Sequence, residues 1–224
     1  MSQATDEALA SSTSDAARRT RRAKRQSSAA ARGAIVAATE LILCDQGASA
    51  LNVQSVMTTA GISRTTFYRQ FSDVYEVVEV LIERLVARMA DQSGAWLREP
   101  DAIGSPEQVH PNLIRSATAV QPAARLLVAL HDALGLDDRL RRIWREQLLQ
   151  PRINAVAAAI RRDQAAGAIS ATVDADTTAL ALSLMNEQLL IELVCRNGAN
   201  PEEYARTAAP IWESALFGGR PGRP

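Results

Sequence analysis

Residues 53–71 read VQSVMTTAGISRTTFYRQF, and the fold follows from how that stretch divides. Asn52 precedes an apolar-periodic run and predicts a short helix from Val53 to about Ala60. Gly61 and Ile62 supply a turn, and Ser63 caps a second short helix ending near Gln70. Val56, Ala60, Ile62 and Phe67 are spaced to close a small core between the two helices. Ser63, Arg64, Thr65, Thr66, Tyr68 and Arg69 carry hydrogen-bond donors and are left to face outward. Two short helices joined across a glycine form a helix-turn-helix pattern, whose second helix is built to enter the major groove of DNA.

The segment AGISRTTFYRQF, residues 60–71, resembles the signature of TetR-family transcriptional regulators. In that signature a small residue, a glycine, a hydrophobe and a serine precede a helix that contains Phe-Tyr and closes with Phe. The resemblance extends from Ala30 to about Leu85. It implies that Tyr68 contacts a phosphate and that Arg64, Thr65 and Thr66 reach base edges or neighbouring phosphates. Ser63 would serve both as helix cap and as phosphate donor. Gln54 and Ser55, at the start of the supporting helix, are expected to present backbone N–H groups to the duplex. The sequence departs from the family at three places: Met57 replaces a small residue, Gln70 replaces a Tyr or His, and Val74 replaces a Lys. One cationic phosphate anchor is therefore missing, and Arg69 with an upstream basic arm is expected to compensate.

That arm lies within residues 1–26, which are Ser, Thr, Ala and charge and read as disordered. Arg18, Arg19, Arg21, Arg22, Lys24 and Arg25 fill six of eight consecutive positions there. The chain as a whole is neutral, with 25 basic and 25 acidic residues. From Ala16 to Tyr75, however, nine basic residues face three acidic ones, so the positive charge is gathered where a polyanion would be held. Between arm and motif, Ile35, Val36, Thr39, Ile42 and Leu43 predict a helix from about Ser28 to Gln46, stopped by Gly47.

Downstream, Ser72 is expected to cap a long helix reaching toward Trp96, with Val74, Val77, Val78, Leu81, Ile82, Leu85 and Met89 as its buried stripe. A loop with Pro100, Gly104, Pro106 and Pro111 precedes helices at about Glu107–Val120, Pro122–Leu134, Asp137–Ala166, Asp174–Arg196 and Pro201–Phe217. Pro151 should kink or divide the third of these. The expected architecture is all-α. Residues 27–72 form a three-helix DNA-binding domain, residues 73–218 a helical ligand-binding and dimerisation domain, and residues 219–224 a disordered tail. The last two helices are apolar on more than one side, as a homodimer interface requires.

In this half, ALSLMNEQLL at 181–190 and PIWESALFG at 210–218 are similar to the ethionamide-response branch of the same family. That similarity implies an apolar effector channel beside Asn186 and Glu187, with Trp144 and Trp212 as walls and Leu148 and Leu190 nearby. Asn186 interrupts a face built from Leu182, Met185, Leu189 and Leu193, and a buried amide needs a partner. A ligand carbonyl, a backbone group or the same asparagine of a second subunit would each serve.

Other function classes find little support. No Ser/His/Asp set, metal-ligand spacing or glycine-rich phosphate loop can be assembled, so neither enzyme activity nor a cofactor is expected. His110 and His131 are isolated, and Cys44 and Cys195 read as buried thiols. The most apolar stretch, Thr177–Cys195, is interrupted by Asn186, Glu187, Gln188 and Glu192, and the N-terminus lacks a signal-like apolar core, so the expected location is the cytoplasm. The sequence thus predicts a DNA-binding regulator. It is read as a repressor released from a palindromic operator by a lipophilic small molecule, the alternative being an architectural DNA binder that senses no ligand.

Overall fold

Gly61 makes the turn on which the N-terminal part depends. Its φ of 65° lies in the left-handed region, where a side chain is strained. The turn lets Ile62 N donate to Met57 O at 3.1 Å and Gly61 N to Thr58 O at 3.3 Å, closing the preceding helix. That helix opens on a capping box, in which Ser55 N donates to Asn52 Oδ1 and Asn52 N donates to Ser55 Oγ. The next helix opens on Ser63, whose Oγ accepts from Thr66 N at 3.2 Å. Both caps stand where the sequence puts them.

The computed structural model describes residues 26–90, 103–135 and 137–218, with side chains described to residue 87 in the first stretch. The basic arm, Arg18, Arg19, Arg21, Arg22, Lys24 and Arg25, and the tail 219–224 lie outside them. Helix α1 spans Gln26–Gln46. It is followed by α2 (Val53–Ala60), α3 (Arg64–Gln70), α4 (Val74–Ala90), α5 (Pro106–Val120), α6 (Ala124–Ala133), α7 (Asp138–Trp144), α8 (Gln150–Ala165), α9 (Ala175–Leu189) and α10 (Pro201–Phe217). Among the described residues there is no strand. The all-α expectation holds, and α10 has the predicted bounds.

One local expectation is corrected, and two helices carry a wider turn. The cap of α4 is Asp73, whose Oδ1 accepts from Glu76 N at 3.0 Å, whereas Ser72 donates through N–H and hydroxyl to Glu76 Oε2. The helix 137–166 is divided, as Pro151 leads one to expect, by a π-helical turn at Arg145–Leu149 shortly before that proline. Proline has no N–H to continue the ladder, so the wider turn ahead of it absorbs the mismatch. A second π-helical segment, Leu190–Arg196, continues α9.

The buried apolar residues form one continuous cluster from Ile35 in α1 to Leu216 in α10. Ile35, Val36, Ile42 and Leu43 of α1 and Val77, Val78, Leu81, Ile82 and Leu85 of α4 are buried, while Val74 is half-buried. In the C-terminal part α5 packs along α10, α8 along α9, and α6 against the segment Leu190–Arg196. The loop before α5 is tied down by the buried Asp163 of α8, whose Oδ2 accepts from Ile103 N at 3.0 Å and Gly104 N at 2.9 Å.

By length and mean hydropathy, α1 and the continuous Ala175–Arg196 helix could each cross a membrane. In this fold four polar residues of the second helix have partners within the chain. Asn186 is met by Tyr204, Glu187 by Trp144, Gln188 by His131 and Glu192 by Arg196. A lipid-facing helix would leave such groups unpaired at high cost.

Candidate DNA-reading face and effector cavity

Helix α3 divides cleanly into two faces. Phe67 is fully buried, with Phe71 beside it at a ring-centroid separation of 6.3 Å. Ser63, Arg64, Thr65, Tyr68 and Arg69 are exposed, and Thr66 is half-exposed. Tyr68, 47% exposed, stands edge-on to Phe67 at 5.4 Å, and the Arg64 guanidinium lies 5.4 Å from its ring centroid. The hydroxyls of Ser63 and Thr66 are 3.0 Å apart. The result is a convex row of donors over an aromatic support, suited to a groove lined with acceptors.

Two residues take roles the sequence did not assign them. Gln70 Nε2 donates to Ser28 Oγ at 2.8 Å, and Arg32 donates to the Gln70 carbonyl at 2.9 Å while its guanidinium covers the Phe71 ring at 4.1 Å. Gln70 therefore fastens the end of α3 to α1. Of the pair expected to offer backbone N–H groups, the N–H of Ser55 is already bonded to Asn52 Oδ1. Its hydroxyl donates within the same turn, to Ala50 O at 2.8 Å and Asn52 O at 2.9 Å, so Ser55 shapes the start of α2. Gln54 is exposed there, its Nε2 donating to Thr58 Oγ1 at 3.4 Å.

The start of α4 is clasped to α7. Asp73 Oδ2 accepts from Arg139 Nη1 at 2.6 Å, Tyr75 OH donates to Asp137 Oδ2, and the Arg139 guanidinium lies 4.6 Å from the Tyr75 ring centroid. Burial pushes the Asp73 carboxyl up, but the Glu76 N–H and Arg139 outweigh it and hold it below its usual range. Asp137 is lowered chiefly by the Tyr75 hydroxyl, against a smaller effect of burial. Depressed carboxylates favour the folded state above the ordinary value of 3.8 and lose that advantage only as pH falls through their lower folded values. The clasp should therefore persist through neutral pH.

At its other end α7 reaches a small, partly open cavity of ≈ 40 Å³. Its walls include Val120, Leu127, Leu148, Leu190, Ile191 and Cys195, with Trp144, Arg152 and Glu187 as the groups that carry polar atoms. Trp144 Nε1 donates to Glu187 Oε1 at 3.0 Å, while Glu187 Oε2 and Arg152 Nε are enclosed without a hydrogen-bond partner. Burial raises the Glu187 carboxyl above its usual value, only partly offset by Trp144. Of the expected effector residues, Trp144, Leu148, Glu187 and Leu190 converge here. Arg152, four residues after Leu148 and eight after Trp144, was missed; that helical spacing is the signal that places it on the same face.

Asn186 and Trp212 are not among the residues lining this cavity. Both are buried, and Tyr204 OH donates to Asn186 Oδ1, so the amide oxygen finds its partner in α10 while Nδ2 is enclosed without one. Tyr204→Phe should cost about 1–3 kcal/mol, and the double variant Tyr204→Phe/Asn186→Leu should recover much of it, as read by denaturant unfolding.

A larger open cleft of ≈ 630 Å³ lies between the end of α1 and α6, lined in part by Cys44 and Cys195. Its edges are bridged by Arg125–Asp45 at 2.6 Å and by Arg196–Asp132. The two thiols are half-buried rather than buried; burial raises both, Cys195 to about 11, so they stay protonated and unreactive at neutral pH.

A family model described as "Transcriptional regulator EthR, C-terminal domain" matches residues 114–218. The HTH-type transcriptional regulator EthR of Mycobacterium tuberculosis is 30% identical over 194 residues, covering 83% of this chain and 86% of that one. The chain belongs to the TetR family. Within the TetR family it is EthR-like, and EthR of Mycolicibacterium smegmatis is 27% identical over 202 residues, covering 84% and 87%. A TetR-family regulator from Syntrophomonas wolfei superposes with a TM-score of 0.68 at 14% identity, covering 82% of this chain and 93% of that one. The protein of a SmeT–triclosan complex gives 0.67 at 16% identity, covering 87% and 96%. These relatives make the chain a helix-turn-helix transcriptional regulator, a class distinct from enzymes.

Proposed function

We propose that the protein is a homodimeric repressor that holds a palindromic operator through α3 and lets go when a small lipophilic molecule enters the cavity beside Trp144. The observation that carries the reading is the division of α3, with Phe67 sealed inside and Ser63, Arg64, Thr65, Thr66, Tyr68 and Arg69 displayed as a continuous donor surface. On this reading residues 27–72 bind DNA, residues 73–218 bind effector and partner subunit, the basic arm 18–25 adds phosphate contacts, and the protein acts in the cytoplasm.

Leu180 and Leu184 of α9 and Ile211 of α10 are 42%, 44% and 47% exposed. Large apolar side chains on the two terminal helices support a dimer through those helices. Two-fold pairing would set the two α3 helices about one DNA turn apart, roughly 34 Å or a multiple of it. An effector at Leu148 acts on the π turn that continues α7, and α7 is clasped through Asp137 and Arg139 to the first residues of α4. A shift there would change the separation of the two heads, giving ligand and operator a reciprocal coupling of about 1–3 kcal/mol.

The coupling can be tested without an effector. Leu148→Phe adds bulk to the cavity as an occupant would, and should weaken operator binding several-fold in a fluorescence anisotropy titration. Arg139→Ala should leave operator affinity near wild type but erase the penalty of Leu148→Phe, because the clasp that transmits it is broken. If Leu148→Phe binds operator as tightly as the parent, or if Arg139→Ala leaves the penalty intact, this mechanism fails.

A further inference from the structure

The reading of the cavity as an effector pocket leaves one of its residues unexplained. Arg152 lies in the first turn of α8, half-buried, with its Nε enclosed beside an otherwise apolar lining of Val120, Leu127, Leu148, Leu190 and Ile191. Its Nε has no hydrogen-bond partner, and Glu187, which acts on it electrostatically, forms no ion pair with it among the described residues. An enclosed donor without a partner is costly, and a guanidinium offers a planar fork of donors matched to a carboxylate.

Glu187 does not occupy the Arg152 donors. One of its oxygens accepts from Trp144 Nε1, and the other is enclosed without a hydrogen-bond partner. Burial pulls Arg152 down, but from a starting value so high that the group keeps its proton at neutral pH. The polar end of the cavity therefore presents a guanidinium with an unused donor. The opposite end is hydrocarbon. Two of its helical walls, Arg145–Leu149 and Leu190–Arg196, are π-helical, and such turns are uncommon and frequent at functional sites. They are the places where a cavity of ≈ 40 Å³ can widen around a guest larger than itself.

We infer that the effector is an acidic amphiphile, its carboxylate held by Arg152 and its apolar body lying against Leu148, Leu190 and Ile191. This rests on the effector-pocket reading and narrows it to a class of molecule: an organic acid rather than a neutral lipophile. The acid could be a fatty acyl chain or a compact aromatic acid, which share this head group.

The test is calorimetric titration of the full-length protein at neutral pH with decanoate, phenylacetate, decanol and decanamide. Decanoate or phenylacetate should bind at least about tenfold more tightly than the neutral compounds, as expected for a charge-assisted hydrogen bond. Which acid is preferred identifies the source of the carboxylate, and either supports the inference. Arg152→Met should bind decanol as the parent does and show no preference for acid, with its helical circular dichroism unchanged. Arg152→Gln keeps a polar head without the charge and must lose the same preference; it decides the matter if Arg152→Met does not fold. If decanol or decanamide matches the acids on the parent protein, or if the neutral variants still prefer acid, the inference is overturned while the pocket stands. If none of the four binds, the inference and the pocket fall together.

Discussion

Thr66→Ala combined with Tyr68→Ala is expected to abolish selective retention of a palindromic operator, lowering affinity on the order of 100-fold or more at fixed salt. Each well-formed contact to a base edge contributes about 1–3 kcal/mol, and contacts to the phosphate backbone set the register in which those bases are read. The loss should come from the interface rather than from the fold. Tyr68 is nearly half exposed, and Thr66 gives up only a hydroxyl contact with Ser63, because its backbone N–H still meets the Ser63 cap. Melting temperature should stay close to that of the parent. Neither residue is cationic, so the slope of binding against salt should also be retained while its intercept falls. Undiminished selective binding by the double variant would refute the proposed role of α3.

Trp212→Ala should be the most damaging single change to the C-terminal part, lowering unfolding stability by about 3–5 kcal/mol in denaturant titration. Trp212 is 1% exposed on α10, the helix that packs along α5, and it does not line the effector cavity. Its loss would leave a void in close-packed surroundings that cannot fully collapse. The discriminating variant is Trp212→Phe, which fills most of the volume and should leave effector binding at the Trp144 cavity unchanged. A large drop in effector affinity for Trp212→Phe, with stability nearly normal, would instead restore Trp212 to the pocket wall.

The difference between Trp144 and Trp212 shows what the sequence could and could not reveal. The helix-turn-helix was legible because its information is local: Asn52, Gly61 and Ser63 each act on backbone atoms within a few residues, and Phe67 and Tyr68 fall on opposite faces by helical period alone. The same locality made α1 and α10 readable from their caps and stripes. The candidate cavity is assembled from α5, α6, the α7–α8 junction and the end of α9, so membership depends on how distant helices meet. Trp144, Leu148, Glu187 and Leu190 converge on it as the resemblance implies, whereas Arg152, an arginine in a helix rich in arginines, looks like a solvated charge. Asn186 was correctly marked as a buried amide in need of a partner. Its partner, Tyr204, lies 18 residues away on another helix, and no rule of spacing points to it. The π turns were equally hidden, because only the strain at Pro151 announces the first and nothing in the residue types announces the second.

Through Gln70, Ser28 and Arg32 the end of α3 is fastened to α1, so the two helices are tied as one block. An inducer working through α4 would then leave each half-site reader chemically intact and alter only the gauge between the two. Base preference within a half-site should survive induction, whereas tolerance for spacer length should change. Synthetic operators with one base pair inserted or removed at the centre would separate the liganded from the unliganded protein more sharply than any substitution within the half-sites.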